Sequence, residues 1–154
     1  MKITEMLSEE TLIVPLQSHT KPDVIRELAT ALDRAGKLND LDQYIEAILA
    51  REALGSTGVG FGIAIPHAKT NAVKVPALAY GVYPDGIDYE ALDGTKSQLF
   101  FMIAAPEGEA NLHLQTLAKL SRKLMSDDYR NQLLALRSES QILDHLSLID
   151  KEDN

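Results

Sequence analysis

The chain has 154 residues, 45% apolar and 25% charged, a balance that fits one globular domain rather than two. Lys and Arg total 15 against 23 Asp and Glu, and the resulting charge of -8 excludes a general attraction to nucleic-acid phosphates and favours a basic protein partner. Cysteine is absent, so disulfides, thiolate metal sites and a cysteine nucleophile are excluded, and chemistry falls to four histidines and the carboxylates.

Leu12-Ile13-Val14 is a short strand candidate. In Thr20-Lys21-Pro22-Asp23, a capping hydroxyl and a first-turn proline predict a helix that ends near Gly36. Asp40 caps a second helix, with Leu41, Tyr44, Ile45, Ile48 and Leu49 on the helical period and Arg51 in the last turn before Gly55. Gly55, Gly58, Gly60 and Gly62 then crowd a stretch too glycine-rich for a helix or a well-packed strand. A tight loop is predicted there, feeding a short strand Ile63-Ala64-Ile65 that presents His67 after Pro66.

The runs Ala77 to Tyr83 and Leu99 to Ala104 are almost uninterruptedly apolar, as central strands covered on both faces should be. Turns are predicted at Pro84-Asp85-Gly86 and Asp93-Gly94. After Pro106-Glu107-Gly108 the pattern turns helical, with His113, Leu117, Leu120 and Leu124 on one face. Ser126 and Ser138 cap two further helices, the second with Gln141 in the capping-box position. Alternating strands and helices predict an α/β fold. With no repeat, low-complexity tract or linker, one domain is expected over 1–154, its core at about 5–149. No apolar run approaches the roughly 20 residues that span a bilayer, and Met1-Lys2-Ile3-Thr4-Glu5 lacks the apolar stretch of a signal peptide, so a cytoplasmic location is expected.

His67 is the leading candidate for chemistry because of its backbone. The preceding proline fixes its own φ and restricts Ile65, which holds the imidazole in one place. With a reference pKa of about 6.5, histidine is largely neutral near pH 7 and offers a ring nitrogen to phosphorus; a structural or surface histidine is the alternative. His113, in the first turn of its helix, can donate to a phosphoryl oxygen beside a helix N-terminus, or can be a hydrogen-bonded core histidine. Arg51 can clamp a phosphoryl group with its fork of donors, or can cap helix carbonyls and pair with Glu46 or Glu52.

Gly58, Gly60 and Gly62 allow backbone N–H groups to converge on an anion, and Ser56 and Thr57 add hydroxyls; a strained turn is the alternative. The spacing matches neither GxxxxGK[ST] nor GxGxxG between strand and helix. His19 and His145 are assigned no chemistry. A metal held by His67 and His113 would need a third ligand that no spacing supplies, so neither metal nor cofactor is expected.

The run from Arg51-Glu52-Ala53-Leu54-Gly55-Ser56-Thr57-Gly58 through Val59-Gly60-Phe61-Gly62-Ile63-Ala64-Ile65-Pro66-His67 resembles the active-site signature of enzyme IIA domains of the fructose-mannitol class. These belong to the bacterial phosphoenolpyruvate-dependent sugar phosphotransferase system (PTS). The resemblance continues through Asp93-Gly94, Ala105-Pro106-Glu107 and His113 to Leu120, most like the fructose branch. It departs at Phe61 and Leu112, where relatives often carry polar or acidic residues.

The resemblance implies a single three-layer α/β/α domain with a mixed sheet of about five strands covered by helices. It implies that His67 accepts a phosphoryl group from the phosphocarrier protein HPr and passes it to a cysteine of enzyme IIB, with His113 stabilising the phosphoryl group and Arg51 assisting. Having neither cysteine nor membrane span, the chain is expected to act as a free protein with separate IIB and membrane permease IIC partners. Three alternatives stay open: mannitol or another sugar of the class, a nitrogen-phosphotransferase-type regulator acting through phosphorylation-dependent protein binding, and a non-catalytic binding domain.

Overall fold

The computed structural model describes residues 1–109 and 111–151. Among them lie six helices and six strands. After α1 (Ile3–Met6) and one 3-10 turn comes β1 (Leu12–Ile13). Thr20 caps α2 (Lys21–Arg34) by accepting the Asp23 N–H at 3.4 Å, and Asp40 caps α3 (Leu41–Ala53) by accepting that of Gln43 at 3.0 Å. Three short strands follow, β2 (Gly58–Gly60), β3 (Ile63–Ala64) and β4 (His67–Lys69), then the long β5 (Ala77–Ile87) and β6 (Ser97–Ala105). The chain closes with α4 (Leu112–Leu124), α5 (Asp127–Ala135) and α6 (Glu139–Lys151). Ser126 caps α5, accepting the Tyr129 N–H at 3.2 Å.

The sheet runs in the order β1-β5-β6-β3-β2, with β4 also on β6. β6 is its axis: β5 lies antiparallel on one edge, while β3 and β4 share the other edge in parallel, β3 beside Leu99 and Phe100 and β4 beside Ile103 to Ala105. Alternation along β6 sends Phe100 and Met102 into a core with Leu28, Leu32, Tyr44 and Ile48 of α2 and α3. Leu99, Phe101 and Ile103 enter an opposite core with Ile3, Leu120, Leu133 and Leu146 of α1, α4, α5 and α6. Each such fully buried side chain contributes about 1.5–3 kcal/mol, so both faces of the sheet demand cover and the three-layer α/β/α arrangement follows. None of the described helices is long and apolar enough to cross a membrane.

Three sequence expectations change. The sheet has six strands rather than about five, because Gly58–Gly60 pairs with β3 as a bulged hairpin arm instead of remaining loop. Its two-residue turn, Phe61-Gly62, has φ of 57° and 78°, the left-handed pair that matches strand twist. At Pro84-Asp85-Gly86, where a turn was predicted, β5 continues: between Val82 and Ile87 its register against β6 slips, so these residues form a bulge. Finally, the buried stripe of α4 is Leu112, Thr116, Leu120 and Leu124, which leaves His113 and Leu117 half-buried at its edge.

Candidate functional site

His67 sits where the strand line beside β6, made of β3 and β4, is interrupted. Proline at 66 cannot continue a ladder, so β3 ends at Ala64 and the chain re-enters the sheet as β4 one step on. The break is held from both sides. Ile103 N–H donates to the Pro66 carbonyl at 2.9 Å, and Ile65 N–H donates to the Thr57 carbonyl at 3.0 Å. The Ile65 carbonyl then accepts from His67 Nδ1 at 2.8 Å. A carbonyl can only accept, so Nδ1 carries the proton and the lone pair of the neutral ring lies on Nε2.

Three elements converge on this imidazole. Ala47 and Arg51 of α3, His67, Ala68 and Lys69 of β4, and His113, Leu114 and Leu117 of α4 line one depression of about 460 Å³. The rings of His67 and His113 lie 6.2 Å apart between centroids and 28° from parallel. Arg51 donates through one guanidinium nitrogen to the Gly55 carbonyl at 2.9 Å. It pairs with neither Glu46 nor Glu52 among the described residues; Glu52 is bound to Lys21 instead. The lining holds two cations, two imidazoles and no carboxylate, within a chain of charge -8. Such a pocket suits a small anion.

His113 is held below the ordinary histidine pKa, first by burial of the ring and then by the electrostatic influence of the neighbouring His67 and Lys69. Its Nδ1 is buried without a hydrogen-bond partner among the described residues. The ring stands in the first turn of α4, where orphan backbone N–H groups favour negative charge.

The glycine-rich segment, expected to cradle an anion, folds as a hairpin arm, and the side chains beside it bond within the protein. The Ser56 hydroxyl donates to the Tyr89 carbonyl at 2.9 Å, and both the N–H and the hydroxyl of Thr57 go to the Glu52 carboxylate. Neither Ser56 nor Thr57 lines the depression, nor do Gly58, Gly60 and Gly62, which build the β2–β3 hairpin. A Cβ on Gly60 would meet an Asp93 carboxylate oxygen at 2.7 Å, and Asp93 accepts the Phe61 N–H at 3.0 Å. The glycines thus serve close backbone approach within the hairpin.

Lys69 was not among the residues expected at the site, although strand alternation puts residues 67 and 69 on one face. His19 and His145 lie outside the depression. Tyr83 and His19 Nδ1 are hydrogen-bonded at 2.7 Å, and His145 stacks on Tyr129 at 4.1 Å. No group of three or more His, Asp or Glu among the described residues is arranged to hold a metal.

Residues 5–148 match the model of the family described as phosphoenolpyruvate-dependent sugar phosphotransferase system, EIIA 2. The chain is 53% identical over 151 residues to a fructose-specific EIIABC component of the PTS from Bacillus subtilis, covering 98% of this chain and 24% of that relative. It is 43% identical over 128 residues to a fructose-specific EIIA component from Haloferax volcanii, covering 83% of each. Among solved structures, the nitrogen regulatory protein IIA-Ntr from Neisseria meningitidis superposes with a TM-score of 0.86 at 30% identity, over 94% of this chain and 98% of that one. The enzyme IIA of a complex between IIAMTL and phosphorylated IIBMTL from Escherichia coli gives 0.80 at 25% identity, over 92% and 96%.

Proposed function

This chain belongs to the EIIA 2 family of the phosphoenolpyruvate-dependent sugar PTS, phosphotransferase relay proteins, and on that premise we propose that His67 is its relay residue. It takes a phosphoryl group from phospho-HPr and hands it to a cysteine of an enzyme IIB that serves a IIC permease for a fructose-type sugar. The observation that carries this reading is the Nδ1–H to Ile65 carbonyl bond at 2.8 Å, which leaves the Nε2 lone pair for phosphorus beside Arg51 and His113.

In the first transfer, the Nε2 lone pair of His67 attacks phosphorus in line as the P–N bond to the donor histidine breaks and that nitrogen keeps the electron pair. In the second, an enzyme IIB thiolate attacks phosphorus and the P–Nε2 bond breaks, returning the lone pair to His67. Little covalent work falls to the surroundings; their part is placement and charge. Arg51 supplies forked donors to phosphoryl oxygens, His113 an N–H, and the α4 N-terminus a favourable field. Ser56, Thr57 and the glycines act through the backbone of the hairpin that sets Ile65. Labelled phosphate from phospho-HPr is expected on the wild-type chain and absent from His67→Ala; full labelling of that variant overturns the reading.

The likeness to IIA-Ntr supports a second reading, a regulator whose phosphorylation state governs protein binding. The 53% identity to a fructose-specific component favours the sugar reading. Transfer onward to a purified fructose-type enzyme IIB is expected; transfer to no enzyme IIB favours the regulator.

A further inference from the structure

Glu52 lies in the last turn of α3, where the helix field disfavours negative charge, and its side chain is only 5% exposed. A carboxylate there needs strong compensation, and it has four donors. Lys21 Nζ stands 2.9 Å away, Thr57 N–H 3.0 Å and Tyr89 OH 3.2 Å, and the Thr57 hydroxyl closes the set with a short hydrogen bond. The Lys21 ammonium also lies over the Tyr89 ring at 4.6 Å from its centroid. So costly an arrangement, one residue from Arg51, calls for a reason beyond helix stability.

The hydrogen bonds beyond Thr57 supply it. Glu52 grips the N–H and hydroxyl of Thr57; the Thr57 carbonyl accepts from Ile65 N–H at 3.0 Å; the Ile65 carbonyl accepts from His67 Nδ1 at 2.8 Å. From this unbroken sequence we infer that Glu52 is a positioning residue for His67, fixing through Thr57 and Ile65 the ring orientation and the Nδ1–H tautomer that keep Nε2 a nucleophile. β6 anchors Pro66 from the other side through Ile103, so the Ile65 carbonyl is clamped between two fixed points, and Glu52 is the one outside the sheet ladder. The inference deepens the phosphoryl-acceptor reading and rests on it for its kinetic consequence.

The test uses the whole, unphosphorylated, ¹⁵N-labelled chain and reads the His67 ring tautomer from long-range ¹H–¹⁵N correlations. Wild type and Glu52→Gln, which keeps an acceptor for Thr57, are expected to show the Nδ1–H tautomer alone. Glu52→Ala is expected to show a mixture, with phosphoryl transfer slowed roughly ten- to a hundredfold at an unchanged donor KM. A folded Glu52→Ala chain that keeps the wild-type tautomer, whatever its melting temperature, overturns the inference. Should that variant not fold, Thr57→Val takes its place: a shift toward the mixed tautomer supports the inference and an unchanged ring overturns it. Because the ring is read without phosphate, a wild-type chain that takes no label defeats the proposed function and leaves this result standing on its own.

Discussion

His113 shows how the residues of the depression depend on one another. Burial, His67 and Lys69 disfavour its protonated form, and a dianionic phosphoryl group on His67 reverses the contribution made at that residue. The His113 pKa, below the ordinary histidine value in the free chain, is expected to rise when His67 is phosphorylated, as an NMR pH titration of both forms would measure. The depressed pKa also sets a sign for stability. On acidification the unfolded chain binds this proton before the folded one, so stability falls from about pH 6.5 downward. His113→Gln should therefore lose less stability than wild type between about pH 7 and pH 5.5 in urea melts. Removing the proposed donors to the phosphoryl group tests the same geometry kinetically: Arg51→Ala and His113→Ala are each expected to slow transfer about a hundredfold, with Arg51→Lys recovering only part. The fixed placement of His67 was legible because proline stands before it, and Lys69 was available from strand alternation. Where the Ser56 and Thr57 hydroxyls point was not, because their acceptors, Tyr89 and Glu52, are matched by a fold that no local pattern specifies.

Among elements, the β2–β3 hairpin carries the most constraint for its length. Gly60 has φ of 102°, and a Cβ there would press on Asp93, which holds both the Phe61 N–H and the Thr95 N–H at 3.0 Å. Gly60→Ala combines backbone strain with a clash and is expected to destabilise the chain by about 1–3 kcal/mol, read as a lowered midpoint in chemical denaturation. Helices with local caps were readable from Thr20, Asp40 and Ser126. α1 was not, because the cap on its first turn comes from the far end of the chain: Asp150 accepts the Ile3 N–H at 2.6 Å and the Thr4 N–H at 3.2 Å. Pro84-Asp85-Gly86 misleads for a related reason. Its turn chemistry is spent within a bulge of β5, where Gln98 Nε2 donates to the Pro84 carbonyl at 2.7 Å, and only pairing with β6 decides between bulge and turn.

On the scale of the whole molecule, two cores on opposite faces of one sheet hold α3 and α4 at the distance that brings Arg51 and His113 to His67. Leu120, fully buried in the α4 core, is expected to cost about 2–5 kcal/mol as Leu120→Ala, with slower transfer through displacement of α4. An acidic chain with a cationic depression also makes a statement about encounter: transfer from a basic phosphoryl donor should slow as salt rises, chiefly in the association step. The α/β class was visible in the alternation of strands and helices, and the cover on both faces of the sheet in the two apolar runs that became β5 and β6; the three-layer arrangement was implied by the family resemblance. The break between β3 and β4 that displays His67 was visible only as a proline.

The most direct measurement is ³¹P and ¹⁵N NMR of the chain labelled at histidine and phosphorylated by its donor. The expected result is a phosphoryl group on Nε2 of His67, with Nδ1 still protonated against the Ile65 carbonyl. Phosphate on Nδ1, on His113 or on any residue other than His67 would contradict it.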